Sequence, residues 1–210
     1  MKAFRTIKED GIVEEEIKKS RFICQIKRVT TEEEAREFIT AVKKEHYKAT
    51  HNCSCFILGE AATIKRSSDD GEPSGTAGVP MLTVLENAGL TNVAAVVTRY
   101  FGGIKLGAGG LIRAYAGSVA KAIKDIGIVE VKEQEGIHIR LSYAQYQEFA
   151  NWRQTQLLEE YDTQFATEVT TTVFVDKEDL APTLHSLTDF YHGKVEAQAL
   201  DTRIVEVPIH

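Results

Sequence analysis

The spacing of apolar residues divides the chain into short strands and amphipathic helices. Phe22, Cys24 and Ile26 share one face of an extended run, which predicts a half-buried strand. Upstream, two runs with apolar residues flank Asp10-Gly11, a dipeptide typical of tight hairpin turns. We therefore expect a β-hairpin at the start of the chain. Its predicted strands are residues 4–8 and 12–17.

A helix follows, because the apolar residues change to a spacing of three and four. Ala35, Phe38, Ile39 and Val42 fall on one face, with charged residues opposite. The preceding Thr31-Glu-Glu-Glu34 has the spacing of a capping box, which predicts where the helix begins.

Cys53 and Cys55 lie two apart in the next apolar run, so on a strand their side chains would share one face. The pair could supply half of a zinc site, with His46 and His51 nearby, but no second Cys/His pair completes the zinc spacing. With Cys24 the chain has three cysteines, an odd count without the spacing of a disulfide framework. We interpret all of them as buried thiols and predict no metal and no cofactor.

The middle of the chain is rich in glycine, which permits positive φ angles and close approach of backbone to a ligand. Ten of the 15 glycines lie between Gly71 and Gly117. Gly, Pro, Ser and Asp dominate residues 65–80, which predicts a long loop, and long loops in compact domains are often functional. A short helix over 81–87 and a buried strand over 92–98 follow in the prediction.

A second glycine-rich stretch, residues 99–110, precedes a helix predicted over 111–126. Free N–H groups and the dipole at a helix start attract anions. No Asp or Glu occurs from Asn87 to Lys124, although the net charge is −6, so we predict a local positive surface. Tight turns and close packing are the structural alternative for these glycines. The candidate anion- or nucleic-acid-binding residues are Arg99, Lys105, Gly107, Gly109, Gly110, Arg113, Lys121 and Lys124.

Three carboxylates lie within four residues of the long loop. They could bind a metal or act as acid and base, but the spacing is not that of an EF-hand. A solvated acidic turn is the simpler interpretation, and in a third Asp70 or Glu72 pairs with Arg99 or Arg113. No pairing of a nucleophile with a base is evident, so we predict no catalytic residue. The candidate supporting-loop residues are His51, Asp69, Asp70, Glu72 and Ser74.

The chain restarts after Gly127 with a new pattern. Ser142 and Asp176 are each placed to cap a helix. Together with the predicted strands the order is β-α-β-β-α-β, the ferredoxin-like pattern. The predicted strands are residues 136–141, 163–167 and 169–175 and a last one after Gly193. We therefore expect an α+β chain with two domains, 1–133 and 134–210.

The composition, 43% hydrophobic and 27% charged, is that of an ordinary globular protein. The sequence lacks an apolar run of about 18 residues, the minimum for a membrane-spanning helix. Its first residues do not resemble a secretory signal. We therefore expect a cytoplasmic protein without membrane contact. The overall negative charge is unusual for a nucleic-acid-binding protein, so a contact with RNA is expected to be local.

Several sequence blocks resemble the signature of the IMPACT/YigZ family, in its bacterial two-domain type. They are His51-Asn-Cys-Ser-Cys55, Ser68-Asp-Asp-Gly-Glu-Pro-Ser-Gly-Thr-Ala-Gly78, Arg99-Tyr-Phe-Gly-Gly-Ile-Lys-Leu-Gly107 with Val96-Val97-Thr98 before it, and Gly109-Gly-Leu-Ile-Arg-Ala-Tyr115. The resemblance implies an N-terminal domain like an α/β domain of a small-subunit ribosomal protein. It implies a C-terminal ferredoxin-like domain similar to the last domain of elongation factor G. Eukaryotic relatives regulate translation by binding the activator of an initiation-factor kinase.

The expected function is therefore that of a translation-linked regulatory binding protein. Its partner would be RNA, the ribosome or a translation-regulating protein, bound through the basic glycine-rich loop. The alternative is an enzyme or nucleotide-binding protein acting on a phosphorylated small molecule. In that case Gly107 to Gly110 would hold the phosphates, and Asp70 or Glu72 a metal. The sequence favours binding over catalysis and leaves the oligomeric state open.

Overall fold

The computed structural model describes residues 1–209, which form a mixed α+β structure of two compact units. The N-terminal unit contains residues 2–131 and 206–209, and the C-terminal unit contains residue 1 and residues 132–205. The boundary thus lies two residues before the expected one. The chain end joins the N-terminal unit, where the Glu206 carboxylate accepts a hydrogen bond from Arg28 at 2.7 Å. Within residues 1–209, none of the helices has the length and apolar character that a membrane span requires.

The elements of the N-terminal unit are β1 (Phe4–Ile7), β2 (Gly11–Ile17), β3 (Ser20–Arg28), α1 (Glu32–Glu45), β4 (His51–Leu58), β5 (Ile64–Ser68), α2 (Gly78–Asn87), β6 (Val93–Tyr100), α3 (Gly107–Ile126) and the beginning of β7 (Ile128–Leu141). The unit is built on a five-stranded antiparallel sheet with the order β2-β3-β6-β4-β5.

Apolar residues on both faces of this sheet are buried. One face packs with α2 and α3 through residues such as Met81 and Tyr115, and α1 packs on the other through Ala35. Cys53 and Cys55 share the α2/α3 face of β4 and are buried free thiols, which confirms the prediction. Burial raises the pKa of Cys53 to about 12, so this thiol stays protonated at neutral pH.

The predicted N-terminal hairpin is wrong. β1 pairs with the first residues of β7, Phe4 opposite Val131, while β2 pairs with β3. The turn that joins β2 and β3 is Lys18-Lys19, both with positive φ (47° and 64°), as a two-residue type I′ hairpin turn requires. Asp10 instead accepts a hydrogen bond from the backbone N–H of Arg28 at 2.8 Å. A non-local pairing has therefore overridden the local turn signal.

The elements near the glycine-rich stretches are longer than predicted. Residues 65–68, expected in the loop, belong to β5 and pair with β4. Helices α2 and α3 begin at Gly78 and Gly107, before the predicted residues 81 and 111. Glycine has a low helix propensity, so the pattern placed each start too late. At the start of α1, Thr31 caps the N–H of Glu34, as predicted, but the Glu34 carboxylate bonds to Thr30.

The C-terminal unit has the predicted β-α-β-β-α-β order. Its elements are the rest of β7, α4 (Tyr143–Gln156), β8 (Tyr161–Phe165), β9 (Val169–Val175), a 3-10 turn (Lys177–Asp179), α5 (Leu180–Phe190) and β10 (Glu196–Ile209). The strands pair in the order β10-β7-β9-β8. Ser142 caps α4 in a complete capping box with Gln145, as predicted. Asp176 does not cap α5, because its carboxylate bonds to Lys132 and Gln134.

Candidate functional site

The first turn of α3 is an uncapped helix start. Its N-cap residue, Leu106, has no side-chain acceptor, and no acidic residue lies in the turn. Gly107, Ala108 and Gly109 are exposed, and Gly107 has a φ of 73°. The first N–H groups of a helix have no partner within the helix, and α3 has 20 residues to contribute to the dipole. The turn is therefore an electropositive set of free donors.

Basic side chains lie beside this turn and beside the stretch that leads into it. Lys105 and Arg113, both predicted, are joined by Lys18 and Lys19 of the β2–β3 turn, which the sequence analysis missed. The β2–β3 turn lies so close to Gly102 that a Cβ built on Gly102 would meet the Lys19 carbonyl oxygen at 1.8 Å. Lys18 and Arg113 line the same small cleft. None of these four charged groups has an ion-pair partner within residues 1–209. We call Lys18, Lys19, Lys105 and Arg113 the basic rim.

The other predicted basic residues of α3 lie away from its first turn. The Lys121 ammonium donates to the backbone carbonyl of Glu14 at 3.2 Å. Lys124 is in the last turn, where a cation interacts favourably with the helix dipole. At 1.5 Å per residue, Lys124 lies about 25 Å along the axis from Gly107. The candidates predicted as one surface therefore divide between the two ends of α3.

Arg99 is a buried residue of β6, not a surface cation. It is 6% exposed, and its Nη1 donates to Glu72 Oε1 at 2.7 Å. Its guanidinium carbon lies 5.7 and 5.4 Å from the ring centroids of Phe22 and Phe101. Of the three interpretations of the acidic loop, the structure thus shows the pairing of Glu72 with Arg99. Arg113, the other arginine considered, remains on the basic rim.

The Glu72 carboxylate is the centre of a buried polar cluster. Besides Arg99, it accepts a hydrogen bond from the Tyr115 hydroxyl at 2.7 Å. Burial, with smaller contributions from Cys53 and Glu72, raises the pKa of Tyr115 well above its usual value, so the hydroxyl remains a donor. His51 Nε2 lies 3.6 Å from Glu72 Oε2. The other ring nitrogen of His51 donates to the Asp70 carbonyl at 2.8 Å, which fixes the ring.

Asp69 and Asp70 hold the long loop in place. Asp69 accepts hydrogen bonds from three backbone N–H groups, those of Gly75, Ala77 and Gly78, where α2 begins. Burial acts to raise its pKa, but these three bonds outweigh it and lower the pKa. Asp70 accepts from the Lys43 ammonium at 2.9 Å and from the backbone of β4. Both carboxylates therefore have structural partners, which the interpretation as a solvated turn did not anticipate.

A cleft of about 420 Å³ lies beside the first turn of α3. This volume is within the range of about 300–1,000 Å³ typical of small-molecule sites. His51, Glu72, Arg99 and Lys105 line its polar part, and Phe101 contributes to an apolar wall. Ser74 is exposed and does not line the cleft. The fold thus brings together residues from both glycine-rich stretches. The sequence alone did not show that they meet.

Comparisons with known proteins agree on the family. The Impact N-terminal domain family matches residues 18–123, and a domain of unknown function, DUF1949, matches residues 139–194. The IMPACT family member YvyE of Bacillus subtilis is 43% identical over 209 residues, covering 99% of this chain and 96% of YvyE. YigZ of Escherichia coli, also an IMPACT family member, is 46% identical over 116 residues, covering 54% of this chain and 57% of YigZ.

One solved structure, described as that of a hypothetical protein, has a TM-score of 0.60 at 32% identity and covers 96% of this chain and 98% of its own. The match to YvyE extends over both units, and the N-terminal match includes the basic rim, Glu72 and Arg99. On this evidence, the chain belongs to the IMPACT family.

Proposed function

We propose that this chain is a translation-linked regulatory binding protein that contacts RNA at the N-terminal end of α3. The observation that carries the proposal is the basic rim: four cations without an acidic partner in residues 1–209 lie beside an uncapped helix start or the stretch that leads into it. Phosphate groups are recognised by such cations and by the free N–H groups of a helix start. The link to translation comes from the family, because the resemblance implies that its eukaryotic members regulate translation.

An exposed aromatic residue supports single-stranded RNA as the ligand. Phe101 is 47% exposed and follows directly after β6, next to the basic rim. Proteins that bind single strands combine cations with aromatic rings on which bases stack. The Phe101 ring lies 5.4 Å from the guanidinium of buried Arg99, which holds one side of the ring and leaves an exposed part for a base.

Acidic residues of β2 limit the size of this surface. Ser118 of α3 bonds to the Glu15 carboxylate, and Lys121 bonds to the backbone of Glu14. RNA would therefore meet negative charge along the middle of α3, in a chain whose net charge is −6. We expect a compact contact with few phosphates.

Both units support a role in translation by analogy. We propose that the C-terminal unit is a ferredoxin-like domain similar to the last domain of elongation factor G, which its β-α-β-β-α-β order and strand order support. We also propose that the N-terminal unit resembles a small-subunit ribosomal protein domain, and that the protein acts in the cytoplasm. These analogies are weaker than the basic rim, because a fold does not determine a function.

The test is the binding of a fluorescently labelled single-stranded RNA, followed by anisotropy at several salt concentrations. The variant Lys105→Ala/Arg113→Ala removes two cations of the basic rim. If each contacts a phosphate, the slope of log K against log salt should weaken by about 1.4. The matched control is Lys48→Ala/Lys124→Ala, which removes two cations outside the rim and should retain the slope.

Binding that is insensitive to salt, or equal in both variants, would contradict the RNA proposal. Co-sedimentation with ribosomes, with and without nuclease, tests the same contact in a lysate. If the protein were instead recovered with a defined protein partner after nuclease treatment, the translation-regulating protein anticipated from the sequence would replace RNA as the ligand.

A further inference from the structure

We propose that the cleft beside the first turn of α3 binds a phosphate monoester attached to an apolar or aromatic group, such as a nucleoside 5′-monophosphate. The site goes beyond the contact with RNA, because it takes one terminal phosphate group and does not require a polymer. Three features of the cleft carry the proposal: an incompletely satisfied arginine, open backbone donors and an apolar wall.

The arginine is the evidence that is independent of the helix start. Arg99 lines the cleft and is 6% exposed, but its Nε has no hydrogen-bond partner in residues 1–209. Buried polar groups without a partner are rare in folded proteins, and each requires an explanation. The Arg99 Nη1 already donates to Glu72, and its Nη2 lies 3.4 Å from the Ser20 hydroxyl oxygen, so Nε is the donor left without a partner. An anion in the cleft would lie beside this guanidinium.

The balance of charge in the cleft favours an anion. Glu72 is the acidic residue among the lining residues, and its Oε1 is already shared by Arg99 and the Tyr115 hydroxyl. Glu72 and Arg99 offset each other, which leaves Lys105 and the positive end of the α3 dipole. A phosphate monoester, with up to two negative charges, matches this excess better than a neutral ligand does.

Backbone donors are available where the phosphate would lie. Gly107 and Ala108 line the cleft, and α3 begins there without a capping side chain. A Cβ built on Gly107 would meet no atom within 4 Å, so the space above the turn is open. The N–H groups of this turn can bond to phosphate oxygens.

The apolar wall requires more than a phosphate ion. Pro73, Phe101 and Leu111 also line the cleft. Inorganic phosphate would leave these side chains uncovered, whereas a sugar and base would pack against them and remove apolar surface from water. We therefore expect a nucleoside monophosphate to bind more tightly than phosphate alone.

The test uses isothermal titration of the full chain with adenosine 5′-monophosphate, inorganic phosphate and adenosine as probes. Ala108→Asp places a carboxylate in the first turn of α3, where it repels an anion yet suits the helix dipole. We expect adenosine 5′-monophosphate to bind, phosphate to bind more weakly and adenosine not to bind. Ala108→Asp should lower the affinity for the monophosphate at least about tenfold.

The matched control is Ala120→Asp, which adds the same charge at an exposed position further along α3 and should retain binding. Melting curves separate a lost site from a lost fold, because the carboxylate in the first turn should not lower the melting temperature. The proposal is overturned if adenosine binds as well as its monophosphate, or if Ala108→Asp has no effect on binding.

Two sources of the monoester are distinguished by a pair of short RNAs, one with a 5′-phosphate and one with a 5′-hydroxyl. Tighter binding of the 5′-phosphorylated RNA, lost in Ala108→Asp, would identify an RNA end as the source. Binding of the mononucleotide, with equal affinity for the two RNAs, would identify a free small molecule. If neither the monophosphate nor a 5′-phosphate contributes to binding, the site does not exist, although salt-dependent RNA binding at the basic rim would still stand.

Discussion

Helices α2 and α3 both begin after a glycine-rich stretch, but only α3 begins with open donors. At α2, the Asp69 carboxylate accepts from the backbone N–H groups of Ala77 and Gly78, so the loop satisfies the helix start with its own side chain. At α3, neither the N-cap residue nor the first turn provides an acceptor. Glycine before a helix therefore does not by itself indicate a binding site. The carboxylates of the preceding loop decide whether the donors remain free.

The two stretches are also joined by a residue that belongs to the first and acts on the second. Glu72 lies three residues after Asp69, yet its partners are Arg99, the first residue of the second stretch, and Tyr115, which follows that stretch in α3. The loop before α2 therefore supplies two carboxylates with different roles. Asp69 accepts hydrogen bonds from the backbone N–H groups at the start of α2, and Glu72 pairs with Arg99 in the wall of the cleft beside α3.

We expect the largest loss of stability when Glu72, which joins the two glycine-rich stretches, is replaced. Glu72→Ala removes the acceptor of buried Arg99 and of the Tyr115 hydroxyl. Breaking a buried ion pair by removing one partner leaves an uncompensated charge, and this costs about 3–5 kcal/mol. Urea unfolding measures the free energy directly. The control is Glu37→Ala, an exposed glutamate on α1, for which we expect a change within about 0.5 kcal/mol. Equal costs in both variants would show that Glu72 does not join the stretches.

The pairing of Glu72 with Arg99 could be predicted from the sequence only as one of several alternatives. The sequence offered Asp70 or Glu72 as partners for Arg99 or Arg113, because the acid-free run and the acidic loop are visible in composition alone. The choice depends on register: Arg99 is opposite His51 in β4 and Phe22 in β3, and this places its guanidinium beside Glu72. Such positions are set by pairings between distant segments, which local patterns do not contain.

Half of the basic rim was missed for a related reason. The Asp10-Gly11 dipeptide directed the prediction to a hairpin between the first two runs, whereas the actual turn is Lys18-Lys19. Lysine is not a usual residue at positive φ, so the sequence carried no signal of a turn there. The helical spacing of α1 and the cap of α4 were predictable, because both depend on residues close in the chain.

A smaller effect is expected at the closed helix start. Asp69→Ala leaves three backbone N–H groups without their acceptor, and we expect a loss of about 1–3 kcal/mol in the free energy of unfolding. Urea unfolding again provides the measurement, with Asp69→Asn as the conservative variant. A loss as small as that of Glu37→Ala would mean that the loop does not close α2, and the contrast with α3 would disappear.

The lowered pKa of Asp69 predicts how the stability of the protein depends on pH. Because the folded state lowers the pKa of Asp69 from its ordinary value of 3.8, its contribution to stability is complete above that value. The contribution is lost as the pH falls from about 4 through the folded pKa. Melting temperatures between about pH 5 and pH 2 should therefore fall less steeply for Asp69→Asn than for the wild type. Parallel curves would contradict this role. Asp70 is one of several other carboxylates whose pKa is lowered, and together these account for slope that remains.

The smallest expected effect is the change in stability caused by a carboxylate added at each helix start, and it compares α2 and α3 directly. Ala108 and Val79 are each the second residue of their helix, and both are exposed. A carboxylate near an open helix start stabilises by about 0.3–1 kcal/mol, so Ala108→Asp should be more stable than Ala108→Asn by this amount. In α2 the difference between Val79→Asp and Val79→Asn should be near zero or reversed, because Asp69 already places a negative charge there. Comparing Asp with Asn at each position cancels most of the difference in helix propensity and leaves the effect of charge. Thermal unfolding at low ionic strength measures both differences. An equal gain at the two positions would show that Asp69 leaves the α2 dipole as open to an anion as that of α3.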